Sequence, residues 1–450
     1  MSAMSDSDEA LLARTVAAFD TPAAALDALA RDFEAQMAQG LSGGGGSLKM
    51  LRTFTRQPTG REQGHVVVVD WGGTKGRAGL VALGGVGDAH LVTEEVFTFS
   101  EALKQGAPEP VFDVIAAAIG RVVRGQAAEP YPLGFVYSFP ARLERIDRAV
   151  AIALTKGWSL PGLLGQDVAA LLNDALRRHG LAQVSVTAVA NDTVAALMLQ
   201  SYRARGRDGE TADPADVGLI LGTGTNLAAD LGPAGIRNLE SGNFDGVTAI
   251  ETTYDAALDR ELAEPPPGAQ RFEKMVSGRY LGEVVRRVLD DLGRHTAWFR
   301  QSAPALATPF AVESEHLSRI ALDRTAELAQ VDALLRGLGV TSAPRERHAL
   351  RDLSGAIVRR AARLVATVLV GTLRFLDPSR AERRTIAVDG SLWGGYPGFE
   401  RLVRGTLAEL IGRERATLIE IAFVKDSTST GAAVIAAVAA RQRSERCSSA

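Results

Sequence analysis

The stretch VVVVDWGGTKGRAG, Val66 to Gly79, decides how this chain is read. Four consecutive valines make a fully apolar strand, and it ends in an acid, a glycine pair, a threonine and two cations. Neither common nucleotide fingerprint fits, because there is no G-x-G-x-x-G opening a helix and no G-x-x-x-x-G-K-[ST]. A Gly and Thr turn after a buried strand presents backbone N–H groups and a hydroxyl to one point, a nest suited to a multiply charged phosphate. A single turn of this kind reads first as a β-hairpin that needs positive φ.

Working outward, Gly79–Leu83 and Leu91–Phe97 extend the first strand into an antiparallel meander. A second place repeats the plan: Val217–Leu221 is an apolar strand ending in Gly222-Thr223-Gly224-Thr225-Asn226. A third, Thr385 to Gly395, is a strand ending in Asp389-Gly390-Ser391. Two glycine turns carrying hydroxyls at Thr74, Thr223 and Thr225 favour phosphate cradles over hairpins. The plan suggests two similar halves facing each other across a cleft, although no long internal repeat is visible. Helical spacing is expected at Val111–Val123, Gly165–His179 and Val194–Tyr202, with a strand at Val184–Ala190. Thr21-Pro22 reads as an N-cap with Pro at the first helical position, opening an amphipathic helix toward Gly40. Gly43–Gly46 is a plain linker.

At 450 residues, two to three domain-sized units are expected. A formal charge of −3 leaves no basic face for a nucleic-acid backbone, so nucleic acid is not an expected partner. The one cysteine, Cys447, excludes disulfides and a cysteine-based metal site within the chain, which fits the cytoplasm. The acidic N-terminus does not read as an export signal, and the apolar runs Leu364–Val370 and Ala432–Ala440 are too short to span a membrane.

Taken together, the motifs resemble the eukaryotic-type hexokinase family, of the actin-like ATPase-domain superfamily. The family's first turn reads Asp-x-Gly-Gly-Thr-Asn-x-Arg. Here Asp70, Gly72, Gly73, Thr74 and Arg77 match, with Lys75 in place of Asn. SFPAR, LTKGW, GQDVAALLNDALRRHG, NDTVAALM, GLILGTGTN, FEKMVSGRYLGEVVRRVL and AVDGSLW follow in the family's order, so the resemblance covers roughly residues 45 to 440. One set of motifs points to a single-unit form.

The resemblance implies an α/β, two-lobed actin-like ATPase (ribonuclease H-like) fold, with small and large lobes around a cleft. Residues 1–64 would form an N-terminal helix and linker on the large lobe, 65–190 the small lobe, 191–440 the large lobe and 441–450 a polar tail. The implied reaction is transfer of the ATP γ-phosphoryl to the 6-hydroxyl of a hexose, the first step of glycolysis, with Mg²⁺ as cofactor. Glucose is the first candidate, with mannose or fructose alternatives. A homodimer is left open.

The resemblance also assigns residues. Asp70 would hold Mg²⁺ and its waters, while Thr74 and Arg77 face the phosphates; Lys75 either adds a phosphate contact or points to solvent. Gly72, Gly73, Gly222, Thr223, Gly224, Thr225, Asp389, Gly390 and Ser391 would border the nucleotide. Sugar contacts would come from Ser138, Phe139, Pro140, Thr155, Lys156, Asn191, Asp192, Asn226, Glu240 and Glu273. Asp192 is the expected catalytic base, accepting the proton of the 6-hydroxyl. An Asp-Thr pair before a helix is also a common N-cap, and the preceding Asn191 favours the base. Lys156 would neutralise the transferring phosphoryl. Ser241 and Asn243 stand where the family has Trp and Ala, which bears on sugar preference. A sugar sensor with weak turnover and an actin-like or chaperone-like ATPase are the alternatives; Asp192 with Lys156 argues against the first, and SFP with TKGW against the second.

Overall fold

The computed structural model describes residues 6–73, 75–127, 129–154, 157–206, 213–300, 305–379 and 381–448. Strand β1 (Leu51–Arg52) precedes β2 (Gln63–Trp71), which carries the valine run, and β3 (Lys75–Gly84) and β4 (Ala89–Thr98) complete an antiparallel meander. Next come β5 (Tyr131–Tyr137), a hairpin of β6 (Ala141–Arg145) and β7 (Arg148–Ala151), and β8 (Val184–Ala190). β5 runs parallel to β2 and β8 parallel to β5, giving a five-stranded sheet of order β4-β3-β2-β5-β8.

The four valines are explained by this position. Successive strand residues point to opposite faces, and both faces are covered: Val67 and Val69 lie in one buried cluster, Val66 and Val68 in another. The first face packs on the helices Pro108–Val122 and Val168–Arg178. The latter begins three residues beyond the expected Gly165, because the Asp167 side chain accepts from Ala169 N at 3.1 Å and sets the N-cap there.

The second sheet uses the same plan. β9 (Val217–Leu221), β10 (Thr225–Asp230) and β11 (Ile236–Asn238) form an antiparallel meander, and β12 (Arg384–Asp389) and β13 (Ile419–Phe423) continue it in parallel. The order β1-β11-β10-β9-β12-β13 matches the first sheet strand for strand, with β1 added at the edge. The repeat that is invisible in the sequence is present in the topology.

Between the sheets lie two helices. Ser427–Ser448 packs on the five-stranded sheet, with Thr187 Oγ1 of β8 donating to Ala436 O at 3.2 Å. Asp192–Gly206 packs between that helix and the six-stranded sheet. Two glycines permit the approach: a Cβ on Gly134 would lie 2.5 Å from Ala432 O, and one on Gly431 only 2.1 Å from Ala195 O.

The outer face of the six-stranded sheet carries the largest core, built with the helices Ala23–Leu41, Gly278–His295 and Pro344–Leu376. Arg360 is a fully buried charge beside it. Its guanidinium lies over the Phe19 ring at 4.8 Å and donates to Asp255 Oδ1 at 2.7 Å. Asp255 also accepts from Thr252 N (2.9 Å) and Oγ1 (2.6 Å), closing the capping box of helix Thr253–Glu261.

Three further details differ from expectation. Thr21 is not the N-cap; Pro22 is, and the helix starts at Ala23. A further helix, Asp6–Ala17, was not expected, since Thr15 is its one buried residue and its apolar stripe is weak. The segment read as a polar tail is helical to Ser448: Arg441 pairs with Glu445 at 2.9 Å along the helix, and Arg443 reaches Asp147.

Candidate active site

Thr74, Thr155 and Lys156 lie outside the described residues. Around them, the first glycine turn joins β2 to β3, and Asp70 stands half-buried near the end of β2 with Ser138 Oγ at 3.4 Å from its Oδ1. Ser138 follows β5, the parallel neighbour of β2, so strand pairing alone brings the first turn and the SFP loop together. Phe139 is 6% exposed and sits against Trp71 at 5.4 Å, so its role is to pack the loop, with Pro140 at the surface. Lys75 and Arg77 are both exposed on β3. The Gly73 carbonyl accepts a hydrogen bond from the Trp158 indole at 2.5 Å.

Helix Asp192–Gly206 starts at β8's end, and its cap is Asn191, whose Oδ1 accepts from Thr193 N at 2.9 Å. Asp192 Oδ1 also accepts from Thr193 N (2.8 Å) and Oγ1 (3.3 Å). The carboxylate is therefore held in the first turn without having to serve as the cap, and it sits at the positive end of the helix dipole.

The second glycine turn, between β9 and β10, is closed by Gly222 N to Gly224 O at 3.0 Å. The backbone of Gly278 and Arg279 donates to Gly222 O (2.7 Å) and Thr223 O (3.1 Å), fixing the turn on the start of helix Gly278–His295. Its two hydroxyls differ. Thr223 is exposed, whereas Thr225 is buried and donates inward to Ile220 O at 2.9 Å. Gly222 abuts the Gly390-Ser391 turn, since a Cβ on it would lie 3.2 Å from Ser391 N. Asp389 links that junction to the helix between the sheets: Oδ1 accepts from Gly390 N at 2.7 Å, and Oδ2 from Ser427 N and Oγ, both at 2.6 Å. It thus caps the helix between the sheets, 38 residues away in sequence.

The remaining polar residues form one connected set. Asn226 Nδ2 donates to Asn238 Oδ1 at 2.8 Å, and Asn238 Nδ2 to Glu240 Oε1 at 2.8 Å. Asn238 Oδ1 also accepts from Glu240 N at 3.1 Å, and Asn243 Nδ2 donates to Glu240 O at 3.3 Å. These bonds hold Glu240 in a left-handed conformation, φ 53°, uncommon for a side chain of its kind. Glu273 Oε2 accepts from Thr225 N at 2.9 Å, and its side chain lies against Gly242. Burial raises the Glu240 carboxyl; the Asn238 amide opposes this, the Asp192 charge adds to it and Lys49 opposes it, leaving a net raised pKa.

The sequence reading did not assign Asn238 or Trp158. The signal for Asn238 was its two-residue spacing from Glu240 at a strand end. Replacing Asn238 with Leu is expected to raise the sugar KM by about tenfold, the scale of a hydrogen bond to a charged group. Because the Glu240 carboxyl would rise further, a ligand that needs its carboxylate as acceptor should begin to lose affinity at a higher pH than in the parent. A pH series of sugar KM checks both, and a limb that stays in place denies Asn238 this role.

Two models described as hexokinase match residues 11–202 and 216–438. Hexokinase-4, chloroplastic, from Oryza sativa subsp. japonica is 35% identical over 91% of the chain and 84% of that protein. The chain belongs to the hexokinase family. Hexokinase-3 of Rattus norvegicus is 34% identical over 97% of the chain; against it the hexokinase chain spans about half the relative's length, 48%. The solved structure titled hexokinase from Schistosoma mansoni complexed with glucose superposes with a TM-score of 0.79 at 26% identity, covering 96% of this hexokinase chain and 99% of that one. The hexokinase fold, two actin-like lobes, is thus established. Among the described residues, no helix is long and apolar enough to cross a membrane.

Proposed function

We propose that the protein transfers the γ-phosphoryl of ATP to the 6-hydroxyl of a hexose, glucose first, as the opening step of glycolysis in the cytoplasm. The observation that carries this reading is the connected set Asn226, Asn238 and Glu240, with the Asp192 charge close enough to perturb Glu240. Such directional acceptors and donors favour a polyhydroxylated ligand and penalise one that leaves them unpaired.

In this reading the sugar lies against Asn191, Asn226, Glu240 and Glu273, with Ser138, Thr155 and Lys156 from the smaller lobe. Asp192 takes the proton of the 6-hydroxyl as that oxygen attacks phosphorus in line, and Lys156 offsets the negative charge on the transferring group. The turns at Gly72–Arg77 and Gly222–Thr225 cradle the phosphates, with Thr223 offering its hydroxyl outward. The Asp389 side chain is not needed as a nucleotide contact: the Gly390-Ser391 turn borders the nucleotide, while Asp389 supports that turn from behind. Among the described residues no group of three His, Cys, Asp or Glu could hold a metal. A single carboxylate, Asp70, fits Mg²⁺, which keeps most of its waters and takes its other oxygens from phosphate. When bound, the ion would neutralise charge developing on the phosphates.

Coupled phosphotransfer from Mg·ATP to glucose, mannose, fructose, glucosamine and N-acetylated hexoses tests the proposal. Saturable turnover of a free hexose is the expected result. Sugar binding with no transfer to any member of the panel would sink it.

A further inference from the structure

Trp158 has no part in the mechanism above, yet it touches both the first glycine turn and the loop that follows β5. It is 5% exposed, with its indole N–H on Gly73 O at 2.5 Å. Its ring meets Trp71, near the end of β2, at 5.3 Å, Phe139 of the SFP loop at 5.8 Å and Phe99 at 4.9 Å. The backbone beside it is held from a third direction: Gln105 Nε2 donates to Gly157 O at 2.9 Å, and Ser159 N to Lys104 O at 2.8 Å. Lys156 is two residues earlier in the chain.

A glycine peptide has more rotational freedom than any other, so Gly73 needs an external group to fix its plane. The indole supplies that group. We propose that Trp158 is a positioning residue whose N–H ties the phosphate turn at Gly73 to the segment carrying Thr155 and Lys156, keeping donor and acceptor sites in register. The inference rests on the proposed roles of those two segments. Within the aromatic cluster a phenyl ring would fill much of the same space, but it cannot donate to the half-buried carbonyl, and losing that hydrogen bond has a cost.

The test replaces only the hydrogen bond. Trp158→Phe and a variant carrying 3-benzothienylalanine at 158, which keeps the indole's shape without its N–H, are compared with the parent. Expected is a loss of about tenfold in kcat/KM for Mg·ATP in both variants, the scale of one lost hydrogen bond. Sugar affinity measured without nucleotide should be unchanged, and the thermal midpoint of the benzothienyl variant should fall by no more than about 2 °C, the cost of the one lost hydrogen bond. Unchanged nucleotide kinetics with a lowered midpoint would show a packing residue only, and an equal loss of sugar and nucleotide binding would also overturn the proposal. Calorimetry with a non-hydrolysable ATP analogue reads the nucleotide effect independently of turnover. A parent that transfers nothing would therefore count against the proposed function, and an unaltered variant against this inference alone.

Discussion

Asp192→Asn is expected to lower kcat by about 10²- to 10⁴-fold, the contribution typical of a positioned general base. At 1.36 kcal/mol per factor of ten this is about 3–5 kcal/mol of transition-state stabilisation. The amide keeps an oxygen that can accept from Thr193 N, as the carboxylate does, so the helix start should survive. Sugar binding should survive too, with a particular signature. Removing the Asp192 charge relieves one of the influences that raise the Glu240 carboxyl. The acid limb of sugar affinity should then move to lower pH, opposite in sign to Asn238→Leu. Kinetics and sugar titrations between about pH 4 and 8 separate these effects; a kcat near the parent's would remove Asp192 from the role of base.

The second large effect is on stability. Asp255 and Arg360 are 4% and 1% exposed, so removing either partner strands a buried charge. Asp255→Ala is expected to cost about 3–5 kcal/mol, read as a shift of the denaturant midpoint. Replacing both residues with apolar ones of similar volume should restore most of that. The pH dependence has a definite sign. Burial raises the Asp255 carboxyl, but the charge and hydrogen bonds of Arg360, with those of Thr252, outweigh it and leave it lowered. A lowered folded value contributes stability that is complete above the unfolded pKa of about 4 and drains away as pH falls through the folded one. The variant should therefore lose the parent's acid-side decline at this group. A parent-like midpoint in Asp255→Ala would show the pair contributes nothing net.

Strand and turn signals carried the fold because they are local. The valine run, the glycines after it and the recurrence at Val217 and Thr385 need no knowledge of the rest of the chain. Family motifs then named Asn226, Glu240 and Glu273, which the structure joins to one another or to the second turn. What stayed hidden depends on distant partners. Nothing near Asp389 signals that both its oxygens are engaged, because Ser427 is far along the chain. Nothing in GTGTN says that Thr225 turns its hydroxyl inward while Thr223 does not. Trp158 and Gly73 are 85 residues apart, and only the packing of the segment after β7 against the β2–β3 turn brings them together. The helix Asp6–Ala17 was missed for the opposite reason, a local pattern too weak to register.

The helix Ser427–Ser448 also bears on how the molecule is assembled. It roofs Val66 and Val68, residues made far earlier in the chain, and shares their cluster with Leu197, Ala228 and Ala387 from the other half. During synthesis the first sheet therefore waits with one oily face bare until the chain beyond Ser427 has been made. Contacts so far apart are slow to form and leave apolar surface open to aggregation meanwhile. The two halves, so alike in topology, each hold a core of their own and share a third, which neither can close without the other.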